Sequence, residues 1–238
     1  GQRESIRREW GVYFQERPPE EQYMPPLEVD VQCKDGTVKT TILGGVIVPR
    51  AGLAVATFVD ISDRKRDEVL VRQLAEEDPL TGLRNRRAFD AHLEFSLKQA
   101  ESHGASMHLL ILDLDLFKAV NDSFGHAVGD RLLQEIAARL SHSVRSSDVV
   151  ARFGGDEFGV ILTNSPERSD VARVCEKLIA AVEEPAVIEG HEIRVGVSIG
   201  VGRYPEDGDQ PGALFRAADQ ALYQAKQEGR GGWSFHSG

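Results

Sequence analysis

The chain has 238 residues, 41% of them hydrophobic and 28% charged, with a formal net charge of −10. Such a length leaves room for one large domain or two small ones with a proper core, and the composition argues against disorder. The acidic balance argues against a protein that grips a long nucleic-acid backbone, which takes many phosphate contacts from Lys and Arg.

The first region runs to about Ser62 and reads as β-rich after a short helix. Pro18, Pro19, Pro25 and Pro26 mark a loop. Leu27, Val29, Val31 and Cys33 then alternate with polar residues, the period of a half-buried strand. Asp35-Gly36 supplies a hairpin turn, and strands follow over Ile42–Val48 and Leu53–Val59. The apolar run from Leu43 to Val59 is too broken to span a membrane, because Pro49 and Arg50 interrupt it; it reads as two strands joined by a Pro-Arg-Ala-Gly turn. The two cysteines, Cys33 and Cys175, are far apart and form no CxxC pair, so both are expected as buried, reduced thiols in a cytoplasmic protein. The chain begins at Gly1 and no signal peptide is visible, which leads us to expect a fragment of a longer protein whose missing part could include a membrane anchor.

Residues 63–77 form a charged helix, capped by Ser62 or Asp63 and stopped by Asp78-Pro79. Its apolar seam is sparse, at Val69, Leu70 and Leu74. Such a helix between two modules is usually a solvated spacer, and it is also what a dimerising signal helix would look like.

Residues 78–238 alternate helices and strands. Helical spacing appears at Phe89, Leu93 and Leu97, and a strand follows over Met107–Leu112. A helix carries Leu132, Leu133, Ile136 and Leu140, and a hairpin spans Val149–Leu162. Next come a helix with Val174, Leu178 and Val182, a strand over Ile193–Val201, and a final helix with Leu214, Ala218, Leu222 and Ala225. Interleaved helices and strands, some strands joined as hairpins, predict an α/β fold whose sheet is of mixed direction with helices packed on it.

Two acidic clusters carry the chemistry. Asp113-Leu114-Asp115-Leu116-Phe117-Lys118 follows the apolar strand Leu109–Leu112, and side chains two apart on a strand share a face. Carboxylates at such a strand end suit a hard cation that keeps water and phosphate as its other ligands, although a solvated strand end has the same look. In Arg152-Phe153-Gly154-Gly155-Asp156-Glu157-Phe158, apolar β-formers flank a Gly-Gly turn that presents two acids. Glycine there also lets backbone N–H groups approach a phosphate.

Gly154 to Phe158 is identical to the signature of the GGDEF family of diguanylate cyclases. Asp78-Pro79-Leu80-Thr81-Gly82-Leu83-Arg84-Asn85-Arg86-Arg87 resembles that domain's opening segment. Asp113–Lys118, Asn121-Asp122, Gly125-His126 and Gly129-Asp130 resemble its nucleotide-binding stretch. Val197–Val201 and Ala218–Tyr223 are similar to its later strand and last helix. The resemblance implies a mostly antiparallel central sheet flanked by helices, as in nucleotidyl cyclases and polymerase palms, and two GTP condensed to cyclic di-GMP with release of pyrophosphate. It further implies Mg²⁺ (or Mn²⁺) on Asp113, the Leu114 carbonyl and Asp156, with Glu157 as the second essential acid and Lys118 at the triphosphate. Asp156 is the position proposed as proton acceptor. Lys226, Arg230 and backbone N–H groups near Phe117 would neutralise phosphate, the Gly154-Gly155 turn would lie against the nucleotide, and His126 falls inside the binding stretch. Asn121 and Asp130 would read the base; a carboxylate is acceptor-only and suits the paired N1–H and N2–H donors of guanine rather than adenine. Each domain would bind one GTP, so a homodimer is implied.

Arg145-Ser146-Ser147-Asp148 lies where the family places its RxxD inhibitory site, which implies binding of the product cyclic di-GMP; a surface salt bridge would give the same pattern. After Arg230 the chain reads Gly231-Gly232-Trp233, where relatives often carry Asn, a change expected to affect local packing. His92, His103, His108, His142, His191 and His236 have no metal-ligand spacing. Residues 1–62 resemble the trailing half of a PAS sensor with its PAC segment, through the Asp35-Gly36 hairpin and the exit Asp60–Lys65. The alternative to an enzyme is a non-catalytic cyclic di-GMP receptor using Arg145 and Asp148. It would have no need of Asp113, Lys118, Asp156 and Glu157, all of which are present.

Overall fold

The computed structural model describes residues 22–48, 53–164 and 167–237. The expected N-terminal helix, Pro18, Pro19 and the Pro49–Gly52 turn lie outside the described residues. The chain divides into two compact units, Gly1–Gln73 and Leu74–Gly238.

In the first unit, β1 (Gln22–Gln32), β2 (Val38–Val48) and β3 (Leu53–Asp60) form an antiparallel meander in that order. Val29 is buried, Leu27, Val31 and Cys33 are half-buried, and their neighbours are exposed, as the alternation predicts. Pro25 and Pro26 do not form a loop. They lie inside β1, where the register shifts between Met24 and Leu27. β1 is an edge strand, and an edge with a bulge is where a residue lacking an N–H is tolerated in a sheet. Cys33 is only half-buried, whereas Cys175 is buried.

Helix α1 spans Ser62–Glu76. Neither Ser62 nor Asp63 caps it; Ser62 is already helical, and its N–H donates to Asp60 Oδ1 at 3.0 Å. The side chains of Val69, Leu70 and Leu74 lie outside the described residues.

The second unit is built on β4 (Arg84–Asn85), β5 (Met107–Asp115), β6 (Val149–Gly154), β7 (Glu157–Thr163), β10 (Gly196–Tyr204) and β11 (Trp233–Phe235). Their order is β11-β10-β5-β7-β6-β4, antiparallel through β10, β5, β7 and β6 and parallel at both edges. β8 (Ala186–Ile188) and β9 (His191–Ile193) form a separate hairpin. The expected strand Ile193–Val201 is therefore divided between β9 and β10.

Helices α2 (Arg86–His103), α3 (Phe117–Phe124), α4 (His126–Ser143), α5 (Arg168–Glu183) and α6 (Pro211–Gln227) form the layers. β5 shows why both faces are covered. Leu110, Leu112 and Leu114 enter the core shared with α3, α4 and α5, while Met107, Leu109 and Ile111 enter the core shared with α2 and α6. A central strand buried on both faces is continuously apolar, with the period-two division visible only in where each side chain packs. Asn85 caps α2 by accepting from Ala88 N–H at 3.0 Å. On α5, Val171, Cys175, Leu178 and Val182 are buried, and Val174 only partly. α6 presses its backbone onto β10 at Gly200, where a Cβ would meet Ala218 O at 2.1 Å. Among the described residues, no helix is long and apolar enough to cross a membrane.

Candidate active site

The end of β5 collects most of the expected site residues. Asp113 lies within the strand rather than beyond it, half-buried, opposite Glu157 on one side and Ser198 on the other. The β6–β7 hairpin turns at Gly155-Asp156, with Gly154 and Gly155 at φ of 136° and 54°, backbone that favours glycine. Asp156 O accepts from Leu114 N–H at 3.2 Å, tying the turn to β5 beside Asp113. Lys226, in the last turn of α6, places Nζ 2.6 Å from Asp113 Oδ1. Burial pushes the Asp113 carboxyl above the usual range, the Lys226 ammonium opposes this, and Asp156 and Asp115 add to the upward pressure. A cation would relieve that crowding.

Asp115 is committed elsewhere. It accepts from Ser198 Oγ at 2.8 Å and from Gly231 N–H at 3.0 Å. The Gly231 departure from the family pattern therefore contacts a residue of the acidic cluster through its main chain. Among the described residues, no three carboxylate, imidazole or thiol side chains converge as a metal cage. The available donor set is Asp113, Asp156 and a main-chain carbonyl, which fits a cation that takes its remaining ligands from phosphate and water, as Mg²⁺ does.

The β5 end feeds α3 through Leu116, at φ 58° and 72% exposed, and α3 begins at Phe117 without a side-chain cap. A helix start of this kind favours anions. Phe117 is buried and Lys118 exposed. α3, which the apolar spacing did not separate from the helix after it, turns into α4 at Gly125. The Asn121 side chain crosses that corner and lies over Gly129; a Cβ there would be 1.9 Å from Asn121 Oδ1. Asp130 follows, exposed, in α4, and His126 is exposed at its first position. Arg230 is exposed just beyond α6.

Arg145 and Asp148 belong to a different place. They precede β6, whereas the Gly-Gly turn follows it, and six residues of strand span about 20 Å. Asp148 does not pair with the Arg145 guanidinium. Its carboxylate accepts from the backbone N–H groups of Arg145 at 3.0 Å and Thr163 at 3.3 Å. The Arg145 side chain is exposed and makes no hydrogen bond or ion pair among the described residues.

Asp78 and Arg152 escaped sequence reasoning as site residues. The Arg152 guanidinium donates to both Asp78 oxygens at 2.9 and 3.1 Å and to Gly155 O at 2.8 Å. Asp78 also accepts from Thr81 N–H and Oγ1 at 3.0 and 2.7 Å. Burial pushes its carboxyl upward, but the Thr81 and Arg152 hydrogen bonds outweigh that and hold it below the usual range. The signature turn is thus braced against the opening segment. The only sequence signal was the joint presence of the two motifs.

Residues 75–232 match the family described as "Diguanylate cyclase, GGDEF domain". Over 203 residues the chain is 40% identical to the bifunctional diguanylate cyclase/cyclic di-GMP phosphodiesterase MucR of Pseudomonas aeruginosa, covering 80% of this chain and 30% of that protein. It is 41% identical over 161 residues to the response regulator PleD of Caulobacter vibrioides, covering 66% and 35%. The crystal structure of the GGDEF domain of TpbB from P. aeruginosa superposes with a TM-score of 0.64 at 38% identity, over 65% of this chain and 97% of that one. The coiled coil and GGDEF domain of DgcB from Caulobacter crescentus, solved in complex with c-di-GMP, gives 0.66 at 30% identity, over 73% and 92%. The chain spans about a third of the length of the MucR and PleD relatives.

Proposed function

The chain belongs to the GGDEF diguanylate cyclase family, and on that premise we propose that it condenses two GTP molecules into cyclic di-GMP with release of pyrophosphate. The observation that carries this reading is the intact acid set around the end of β5. Asp113 faces Glu157 across the ladder, the Asp156 turn is bonded to Leu114, and Lys226 reaches Asp113.

In this reading Asp113, Asp156 and the Leu114 carbonyl hold Mg²⁺, which when bound supplies charge compensation at the α-phosphate and a lowered pKa for the attacking 3′-hydroxyl. Lys118, Lys226, Arg230 and the α3 N–H groups bind the triphosphate. Lys226 exchanges its Asp113 partner for phosphate as the nucleotide arrives. Asn121 and Asp130 select guanine, the carboxylate accepting from N1–H and N2–H. Glu157 completes the acidic edge, and His126 borders the nucleotide. Each chain supplies half of a site, so two chains face each other for catalysis.

Product feedback is assigned to Arg145 and Asp148. The unpartnered guanidinium supports this, since it is free to stack on a base and to pair with phosphate. Residues 1–62 are read as the trailing part of a PAS-type sensor, 63–77 as a linker and 78–238 as the cyclase; the antiparallel meander β1-β2-β3 supports the first assignment.

Incubation with GTP and Mg²⁺, with nucleotides resolved by chromatography, tests the reading. Wild-type protein yields cyclic di-GMP and Asp156→Ala yields none. Full turnover by Asp156→Ala would refute the proposed metal site.

A further inference from the structure

The β6–β7 ladder runs from the Arg152/Phe158 pair to the Gly154/Glu157 pair and leaves Phe153 without a partner. A bulged residue of this kind is not positioned by backbone pairing. Side-chain packing locates it instead. The Phe153 ring lies over Gly159 of β7, where a Cβ would come within 2.2 Å of it. Phe89 of α2 meets it edge-on at 5.0 Å, and Phe215 of α6 stands 6.1 Å away.

The guanidinium of Arg86, the first residue of α2, closes this cluster. Its carbon is 4.4 Å from the Phe153 ring centre and 4.2 Å from that of Phe215. A planar cation over the face of an aromatic ring is attracted by the ring quadrupole and stacks on it. Asp90, one turn along α2, accepts from Arg86 Nε at 3.1 Å and fixes its direction. One cation therefore joins the ring immediately before the Gly154-Gly155 turn to a ring on α6, the helix that carries Lys226.

We propose that Arg86 is a positioning residue for the Asp156-Glu157 pair, acting through Phe153. The kinetic part of this proposal rests on the cyclase reading; the structural part does not. The test compares wild type, Arg86→Ala, Arg86→Lys and Asp90→Asn by kcat and KM for GTP and by amide exchange at Leu114, whose N–H is held by Asp156 O. Arg86→Ala lowers kcat roughly three- to tenfold with KM unchanged, and speeds Leu114 exchange while Leu109 and Leu110 exchange as before. Arg86→Lys regains only part of the rate, because an ammonium is drawn to a ring face but cannot stack as a plane on both rings, and Asp90→Asn stays near wild type because the amide oxygen still accepts from Nε. The proposal is overturned if Arg86→Ala leaves kcat and Leu114 exchange unchanged, or if exchange rises uniformly along β5. Should the wild type make no product, the cyclase reading fails, and Leu114 exchange in Arg86→Ala still decides the positioning role.

Discussion

Arg152 reaches across 74 positions of the chain to Asp78, with nitrogen 2.9 and 3.1 Å from its two carboxylate oxygens. The pair is largely buried, with side chains 11% and 14% exposed, and Arg152 also holds the Gly155 carbonyl. Removing one member strands the other's charge, at about 3 kcal/mol. Arg152→Ala and Asp78→Ala are each expected to lose that much in urea unfolding, and the double variant little more than either single one. Additive losses would show that the two side chains are not coupled. Because the Asp78 carboxyl is held below its usual range, its contribution is complete above the unfolded pKa, about 3.9, and is lost as pH falls through the folded value.

Gly129→Ala tests the proposed base-reading role of Asn121. Within a helix, alanine is worth up to about 1 kcal/mol over glycine, but here its Cβ would lie 1.9 Å from Asn121 Oδ1. The helix backbone cannot yield, so the Asn121 side chain rotates away. KM for GTP is expected to rise roughly tenfold, the loss of about one hydrogen bond, with the melting temperature preserved. An unchanged KM would remove Asn121 from the guanine site.

His108 sets an acid limit on stability. It is buried on β5, its Nδ1 has no hydrogen-bond partner among the described residues, and burial pulls its pKa down to about 4. Glu206 and Asp207 press the other way, while Arg203 and Arg168 add to the depression. The unfolded imidazole titrates near about 6.5, so between these values the unfolded state binds more protons. Stability is therefore full above about pH 6.5 and declines as pH falls toward 4. Thermal unfolding of His108→Leu should show a flatter pH dependence across that window; an unchanged slope would assign the acid sensitivity to other groups.

Arg145 and Asp148 should separate inhibition from stability. Arg145→Ala removes an exposed side chain without a partner among the described residues, so product inhibition is expected to vanish with stability within about 0.5 kcal/mol of wild type. Asp148→Ala additionally strips two backbone N–H groups of their acceptor and should cost about 1–2 kcal/mol. Inhibition that survives in Arg145→Ala would remove the proposed feedback site.

The long elements of the cyclase unit were legible because each carries its own period. The helix around Leu132–Leu140 and the hairpin around Gly154-Gly155 are examples. Elements of two or three residues, β4, β8, β9 and β11, carry no period at all. Pro25 and Pro26 misled because edge strands accept proline, and edge position is a tertiary fact. Of the acidic residues named from motifs, Asp113 and the Asp156-Glu157 pair come together at one end of β5. What spacing could not show was division of labour between neighbours. Asp113 faces Lys226, whereas Asp115, two residues on, is bound by Ser198 and the Gly231 main chain. Partners from β10, α6 and the segment after it decide that, and they are distant in sequence.

The proposed pairing of two chains, each bringing one GTP to the Asp113–Asp156–Glu157 edge, is tested by initial rates of cyclic di-GMP formation from saturating GTP and Mg²⁺ over a protein concentration series. Cyclic di-GMP and pyrophosphate are expected to form with greater than first-order dependence on protein while the chains are mostly monomeric, becoming first order as they dimerise. Product formed in strict proportion to protein by a species shown to be monomeric would contradict it, as would no product at any concentration.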